Sequence, residues 1–339
     1  MFPRNIHKFI HTKPMGLLFI TAFFLFGCCS AEEVQTSPHD ISEVQPEKPM
    51  GEYSPQEAVL IEQYEPSPAT PSRAEKVIKA ISSAYSPFIV GPAVYQNGDW
   101  TVTVRGQVFY YAEGRMLPEN LRDTYEEYDP QPFYRYPEKL PPWKPLDETE
   151  SASLRSITGR RRENPPKRSN HFFDALYRSS SRNESYERMK TLRLLGREVL
   201  VHYNILEQLS LVEEEIQRIS QTNAEVRTWV ANIKTITGWN WRSIAETDSR
   251  SFHSYGVALD FLPNSLRGLS TYWLWTADWN PEWWNVSYSQ RFHPPEPVIE
   301  SFEKYGFIWG GKWMFFDTMH FEYRPEILVL NDIKMAEYR

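Results

Sequence analysis

Hydrophobic residues recur at helical spacing in three parts of the chain. Val77 and Ile81 would lie on one face of a short helix over residues 74 to 85. The same period runs from residue 185 to about residue 235, which predicts two or three helices. A further helix is expected over residues 297 to 305. The pattern therefore predicts a helical layer that needs a partner surface to cover its apolar side.

Strand-like alternation is confined to shorter segments. From Trp100 to Tyr111, apolar and polar side chains alternate on both sides of Gly106, which predicts a hairpin. Residues 257 to 261 form a second strand-like segment, and residues 313 to 323 form a third. Together with the helices, these segments predict an α+β fold in which a small, mainly antiparallel sheet has helices packed behind it.

Three polar or proline-rich stretches interrupt these patterns. Residues 28 to 73 are rich in Pro, Glu, Ser and Gln, which predicts a disordered tether. Residues 130 to 145 combine aromatic residues with repeated prolines, which favours extended chain that wraps over a surface. Residues 148 to 170 are polar and basic, and we interpret them as a linker.

The amino terminus is typical of an export signal. Basic residues precede an apolar run from Gly16 to Gly27, which has the length of a signal-peptide core and is short for a mature transmembrane helix. The tetrad Leu25-Phe26-Gly27-Cys28 resembles a bacterial lipobox, so Cys28 is the expected site of lipidation and membrane anchoring. An uncleaved anchor helix is the alternative, and it also leaves the body outside the membrane. Both interpretations predict a protein exported to the bacterial cell envelope.

Composition limits the classes of partner and chemistry. The formal net charge of -7 provides no basic field, so nucleic acid is not an expected partner. Cys28 and Cys29 are the only cysteines, which leaves the exported body without a disulfide, a thiolate ligand or a cysteine nucleophile. The many Trp and Tyr residues favour an aromatic cleft, although any one of them can equally fill a core.

Two segments hold side chains of the types that bind catalytic metals. His253 and Asp260 lie seven residues apart, and a turn at Gly256 would bring the imidazole beside a carboxylate on the following strand. His320 lies further along, three residues after Asp317. Two imidazoles and one carboxylate with an open position form a set used by catalytic zinc. Each residue alone has an ordinary explanation, such as a turn cap or a surface ion pair, so the inference depends on the joint pattern.

The sequence around these residues resembles a known family. Residues 251 to 260 read Ser-x-His-x-x-Gly-x-Ala-x-Asp, and Asp-x-x-His follows at residues 317 to 320. These two segments, together with Trp241-Arg242 before them and residues 302 to 313 between them, resemble the VanY-type D-alanyl-D-alanine carboxypeptidase family of zinc peptidases. That family shares its fold with the hedgehog signalling domain. The resemblance covers about the last hundred residues. It implies hydrolysis of the stem peptide of bacterial peptidoglycan.

The resemblance also implies a role for each matching residue. His253, Asp260 and His320 would hold Zn²⁺, Asp317 would be the general base, and Arg242 would stabilise the oxyanion or bind a substrate carboxylate. The carboxypeptidase branch usually has Glu where this chain has Asp317, whereas the L-alanyl-D-glutamate peptidase branch has Asp. Both carboxypeptidase-like and endopeptidase-like cleavage therefore remain open.

Several nearby residues receive secondary predictions. Ser251 would contact a ligand or the substrate, or equally would cap a turn, and Glu322 would orient His320. His293 is expected in a loop rather than at the metal, because the open position must accept water. The Trp-rich residues 273 to 284 are predicted to form a rim of the cleft, although packing is the simpler interpretation of any single Trp.

These expectations give one organisation with two functional alternatives. The chain would comprise a lipoprotein signal peptide at 1–27, a tether at 28–73, an extension with a hairpin and a Pro/Tyr-rich segment at 74–184, and a zinc peptidase domain at 185–339. Its expected partners are peptidoglycan stem peptides and, through Cys28, the membrane; nothing indicates an oligomer. A wall-binding lipoprotein with little turnover is the main alternative, and a signalling module of hedgehog type is a weaker one.

Overall fold

The structure, a computed structural model, describes residues 71–245 and 247–336. The predicted leader, Cys28 and almost all of the tether lie outside the described residues. The described part has nine α-helices, two four-stranded antiparallel sheets and a separate two-stranded hairpin. This architecture confirms the predicted α+β class. No helix within these described ranges combines the length and apolarity that spanning a membrane requires.

The first sheet is a meander that follows an amino-terminal helix. Helix α1 spans Pro71–Ala84 and begins slightly earlier than predicted. The predicted hairpin is confirmed, with its turn at Gly106, where φ is 87°. Two outer strands that the alternation did not predict complete the sheet. The strands are β1 (Val94–Gln96), β2 (Asp99–Val104), β3 (Gln107–Ala112) and β4 (Arg115–Pro118), hydrogen-bonded in chain order.

The segment interpreted as a linker is instead partly a helix. Residues 130 to 145 lack helices and strands, as expected, but α2 then spans Glu148–Glu163. The Asp147 side chain accepts a hydrogen bond from the Glu150 backbone N–H, and the Glu150 side chain accepts one from the Asp147 N–H. This capping box starts the helix despite its polar composition. Two short helices follow, α3 (His171–Tyr177) and α4 (Arg182–Glu187).

The region from 185 to 235 is only partly helical, which corrects the prediction of helices throughout. A hairpin comes first, because Leu195 and Gly196 both adopt positive φ and form its turn. The two helices after the hairpin lie within the predicted range. The elements are β5 (Met189–Leu194), β6 (Arg197–His202), α5 (Leu206–Ser220) and α6 (Ala224–Asn232).

The second sheet has four strands, β7 (Ile233–Thr237), β8 (Ala258–Pro263), β9 (Phe307–Trp309) and β10 (His320–Tyr323), which lie in the order β7-β8-β10-β9. Strand β8 confirms the predicted strand near 257 to 261, and a helix over Glu296–Lys304 confirms the predicted helix near 297 to 305. The prediction of a strand over 313 to 323 holds only for the last four residues. The helices of this part of the chain are α7 (Trp273–Ala277), α8 (Glu296–Lys304) and α9 (Pro325–Leu330).

Two hydrophobic clusters organise these elements. The larger one joins side chains of α1 and the first sheet, such as Ile78 and Phe109, to those of the second sheet, such as Phe321. The smaller one packs α2 against Trp283 and its aromatic neighbours. The residues before 185 therefore contribute to the same core that supports the second sheet.

Candidate metal centre

The pairing of two strands brings two predicted ligands together. In the antiparallel ladder of β8 and β10, His320 lies directly opposite Asp260. Side chains at such cross-strand positions point to the same face and lie within contact distance. His320 Nδ1 lies 2.9 Å from Asp260 Oδ1. The sheet register therefore brings together two residues that are 60 positions apart in the sequence.

A tight turn brings the third predicted ligand to this pair. His253 lies in a 3-10 turn, Phe252–Tyr255, which ends at Gly256 with φ 68°. A Cβ atom at Gly256 would meet the Met189 side chain and would lie 2.9 Å from the His202 backbone nitrogen. Glycine is therefore required both by the backbone conformation and by the close approach of β6. The chain then enters β8 with His253 beside Asp260.

The three side chains fit a divalent metal. One ligand atom from each of His253, Asp260 and His320 lies within 4.8 Å of the other two. His253 Nδ1 donates to the Gly238 carbonyl oxygen at 2.6 Å. In the neutral imidazole, Nε2 is then the nitrogen that carries the lone pair. That Nε2 is buried and, among the described residues, has no hydrogen-bond partner, although Asp260 Oδ2 lies 3.1 Å away. His253 Nε2 and Asp260 Oδ2 are thus two acceptor atoms that face each other, and a cation between them would stabilise this arrangement.

The electrostatics of the cluster also favour a positive charge. Burial would lower the pKa of His320, but hydrogen bonds to Asp260 and Glu322 raise it to about 10. Burial raises the pKa of Asp260, but this effect is exceeded by the interactions with His253 and His320, so the net pKa is well below its usual range. A metal cation bound to these residues would supply the charge that protonation of His320 otherwise provides.

Behind His320 lies a buried chain of charged groups. His320 Nε2 donates to Glu322 Oε2 at 3.2 Å, the contact expected of a residue that orients a ligating imidazole. Arg324 Nη1 donates to the other Glu322 oxygen at 3.3 Å, and Arg324 Nε pairs with Glu326. Tyr85 on the loop after α1 donates to Glu326 at 2.7 Å. The chain of contacts thus runs from the candidate ligand His320 to Tyr85 in the amino-terminal region.

Asp317 and Arg242 both line the cleft at this cluster. Asp317 is half-buried, and burial, together with the charge of Asp260, raises its pKa to about 7. The positive charge of Arg242 is near enough to oppose this rise. Arg242 is exposed, and its backbone N–H donates to Ser254 Oγ at 2.9 Å. The structure therefore places a carboxylate and a guanidinium beside the three candidate ligands.

The cleft itself has a volume of about 390 Å³. Trp273, Trp275 and Trp313 contribute to its walls, so part of the Trp-rich segment does border the cleft. Trp283 and Trp284 instead are buried in the smaller hydrophobic cluster, which matches the simpler interpretation of packing. A cleft of this size and composition accommodates a short extended ligand.

The remaining predicted residues separate into those near the cluster and one away from it. Ser251 caps the turn that carries His253, because its Oγ accepts from the His253 N–H, and it also lines the cleft. His293 is exposed, and its Nδ1 contacts the carbonyl oxygen of Pro294 rather than the cluster. The assigned roles of all these residues remain predictions.

Sequence reasoning missed three residues that matter for this site. Gly238 supplies the carbonyl that orients His253, and a Cβ there would collide with Leu200. Arg324 holds Glu322 from behind, and Arg161 on α2 lines the cleft. Gly238 ends the helical pattern and could have been recognised as a special position. Arg161 and Arg324 have no local signal, because their roles depend on tertiary contacts.

Comparisons with known proteins bear on two parts of the chain. Residues 77–133 match a family described as a domain of unknown function. No curated protein and no solved structure matched the chain. Residues 245–323 match a family model described as D-alanyl-D-alanine carboxypeptidase. The segment that supplies His253, Asp260, Asp317 and His320 is therefore similar to that peptidase family.

Proposed function

We propose that this protein is a zinc-dependent peptidase that hydrolyses the stem peptide of bacterial peptidoglycan. The observation that carries the proposal is the cluster of His253, Asp260 and His320, whose facing acceptor atoms lie beside a carboxylate and a guanidinium in one cleft. The similarity of residues 245–323 to D-alanyl-D-alanine carboxypeptidases supports the substrate class. The proposal includes export to the cell envelope and anchoring through a lipid on Cys28.

The residues of the cleft divide the chemistry among them. When bound, zinc would polarise the scissile carbonyl and lower the pKa of a water molecule toward about 7. Asp317 accepts the proton of the attacking water and returns it to the leaving amine. Arg242 binds the charge that develops on the carbonyl oxygen. Trp275 and Trp313 exclude bulk water from one side of the peptide, which strengthens these interactions.

Zinc content and product analysis test the proposal together. We expect the purified protein to bind one zinc per chain and to release amino acids or peptides from peptidoglycan. Mass spectrometry on defined muropeptides distinguishes release of terminal D-alanine from cleavage between L-alanine and D-glutamate. His320→Ala should lose both zinc and activity, whereas Asp317→Asn should keep zinc and lose activity by about 100-fold or more.

His293→Ala is the matched control, because it removes an exposed imidazole away from the cluster. It should retain zinc and activity. If the protein binds zinc and His320→Ala still hydrolyses the wall at the wild-type rate, the proposal is wrong. Wild-type protein that binds peptidoglycan but hydrolyses none of the muropeptides would instead support the wall-binding alternative.

A further inference from the structure

The cleft beside the candidate metal centre is lined by charged residues of both signs. Its lining includes three acidic residues, each of which belongs to the candidate ligand set or contacts His320: Asp260, Asp317 and Glu322. Three arginines also line it: Arg161, Arg168 and Arg242. The substrate therefore meets cationic groups besides the guanidinium already placed at the reacting carbonyl.

Of these three cleft arginines, Arg161 is the one whose hydrogen-bonding capacity is least satisfied by the described residues. Its Nε is buried without a hydrogen-bond partner among the described residues. Its guanidinium lies 5.2 Å from the centre of the Phe315 ring, and no carboxylate of the described chain lies within ion-pairing distance. Leaving a partly desolvated guanidinium unpaired is costly, and a carboxylate that accepts two hydrogen bonds offsets that cost.

The position of Arg161 is fixed by the packing of α2. Leu154 and Ile157 on this helix pack into the smaller hydrophobic cluster with Trp283 and the other aromatic residues. Trp284 Nε1 donates to Ser151 Oγ at 3.2 Å, which adds a directional contact. Because the helix is anchored, a ligand that binds Arg161 has to order only the side chain and not the backbone that carries it. The last turn of α2 therefore holds Arg161 at a fixed position beside the cleft.

The two other arginines have different environments. The Arg168 guanidinium donates to the Pro130 carbonyl oxygen at 3.1 Å and to Ser249 Oγ at 3.4 Å. Arg242 belongs to the reacting centre in the proposed function. Arg161 also lies outside residues 77–133 and 245–323, the segments that match known families. Its contribution to the cleft is therefore a property of this chain rather than of the matched segments.

We infer that Arg161 is a specificity-determining residue that binds a carboxylate of the substrate peptide. The preferred substrates are then peptides that carry a free acidic group, and amidation of that group weakens their binding. This inference rests on the proposed function, because it takes the occupant of the cleft to be a peptide. The aromatic walls formed by Trp275 and Trp313 suit the extended backbone of such a peptide.

The test uses two synthetic stem peptides that differ only in one group, a free α-carboxylate on D-glutamate or the corresponding carboxamide. We expect wild-type protein with zinc to prefer the carboxylate peptide by about 10- to 100-fold in kcat/KM, mainly through KM. Arg161→Met should reduce this preference to nearly one. Arg161→Lys should retain part of it, because lysine keeps the charge but not the paired donors.

Arg160→Met is the matched control, since it removes the same charge from the same helix at an exposed position that does not line the cleft. It should keep the wild-type preference. An Arg161→Met protein that folds, by its thermal transition, and still prefers the carboxylate peptide would overturn the inference. Equal loss of preference in Arg160→Met would also overturn it, because the positive charge of the helix end as a whole, rather than contact with Arg161, would then explain the preference.

Direct binding separates this inference from the proposed function. If wild-type protein hydrolyses neither peptide, the proposed function fails, and isothermal titration calorimetry of the same peptide pair then decides the inference. Tighter binding of the carboxylate peptide by about 10-fold, lost in Arg161→Met, supports it. Equal affinity of wild-type protein for the two peptides rejects it.

Discussion

Replacing Glu322 by glutamine tests how far the buried charges behind His320 control metal binding at the candidate site. Glu322 accepts hydrogen bonds from His320 at 3.2 Å and from Arg324 at 3.3 Å, and it is 6% exposed. Glutamine keeps the shape, but one of its two polar ends is a donor, so it cannot accept from both neighbours. The substitution also removes the negative charge that makes the His320 imidazole a better metal ligand.

The expected loss of metal affinity follows from the type of contact. Removing a partner that orients a ligating histidine typically lowers metal affinity by about 10- to 100-fold, which is about 1.4 to 2.7 kcal/mol. The free energy of unfolding should fall by about 1 to 3 kcal/mol, because a buried hydrogen bond is lost. The loss is limited because Arg324 keeps Glu326 and the Pro132 carbonyl oxygen as acceptors. The two effects are measured separately, by zinc titration against a chromophoric chelator and by urea unfolding of the metal-free protein.

A control variant makes the outcome decisive. Glu300→Gln changes the same charge at an exposed position on α8 and should leave both zinc affinity and stability within error of wild type. If Glu322→Gln binds zinc as tightly as Glu300→Gln does, the contact with His320 has no effect on the ligand. The reasoning that assigns an orienting role to Glu322 would then be refuted, whatever the change in stability.

Two further substitutions test the supports of the site. Gly256→Ala should lower the free energy of unfolding by about 1 to 3 kcal/mol, because the φ of 68° is unfavourable for alanine and the new methyl group would lie 2.9 Å from a backbone nitrogen. Gly159→Ala, in α2 where nothing lies within 4 Å, should be neutral or slightly stabilising in the same urea titration, and equal effects of the two would contradict the argument. Tyr85→Phe should cost about 1 to 2 kcal/mol by leaving Glu326 with fewer donors, and an unchanged melting temperature would show that this buried hydrogen bond contributes little.

The local pattern predicted that His253 would lie beside Asp260, because that proximity depends on short-range features. The glycine at 256 marks the turn, and the apolar residues on either side of Asp260 mark a buried strand. The one long-range step, the register that sets His320 opposite Asp260, could not be derived from the spacing. It entered through the resemblance of both segments to one family.

The hairpin of β5 and β6 shows how a period can mislead. Leu192, Leu195 and Val199 are separated by three and four residues, which is the spacing of a helical face. The alternation of Val199 and Val201 within β6, and the glycine at 196 in the middle of the pattern, were the contrary signals. Tertiary packing favoured the strand period over the helical one, because residues of the hairpin, Met189 and His202, pack against Gly256 in the turn that carries His253.

The error over α2 has the largest consequence for function. A basic, polar composition favoured a linker, yet Asp147 followed three residues later by Glu150 is a recognisable start signal for a helix. Only two of the residues on this helix, Leu154 and Ile157, are apolar and buried in the aromatic cluster, which is too few to give a clear hydrophobic period. A helix held by a cap and a few large contacts can direct a charged residue such as Arg161 into a cleft although its sequence resembles a solvated segment. Substrate selection in this protein would then depend on a part of the chain in which composition alone predicts no structure.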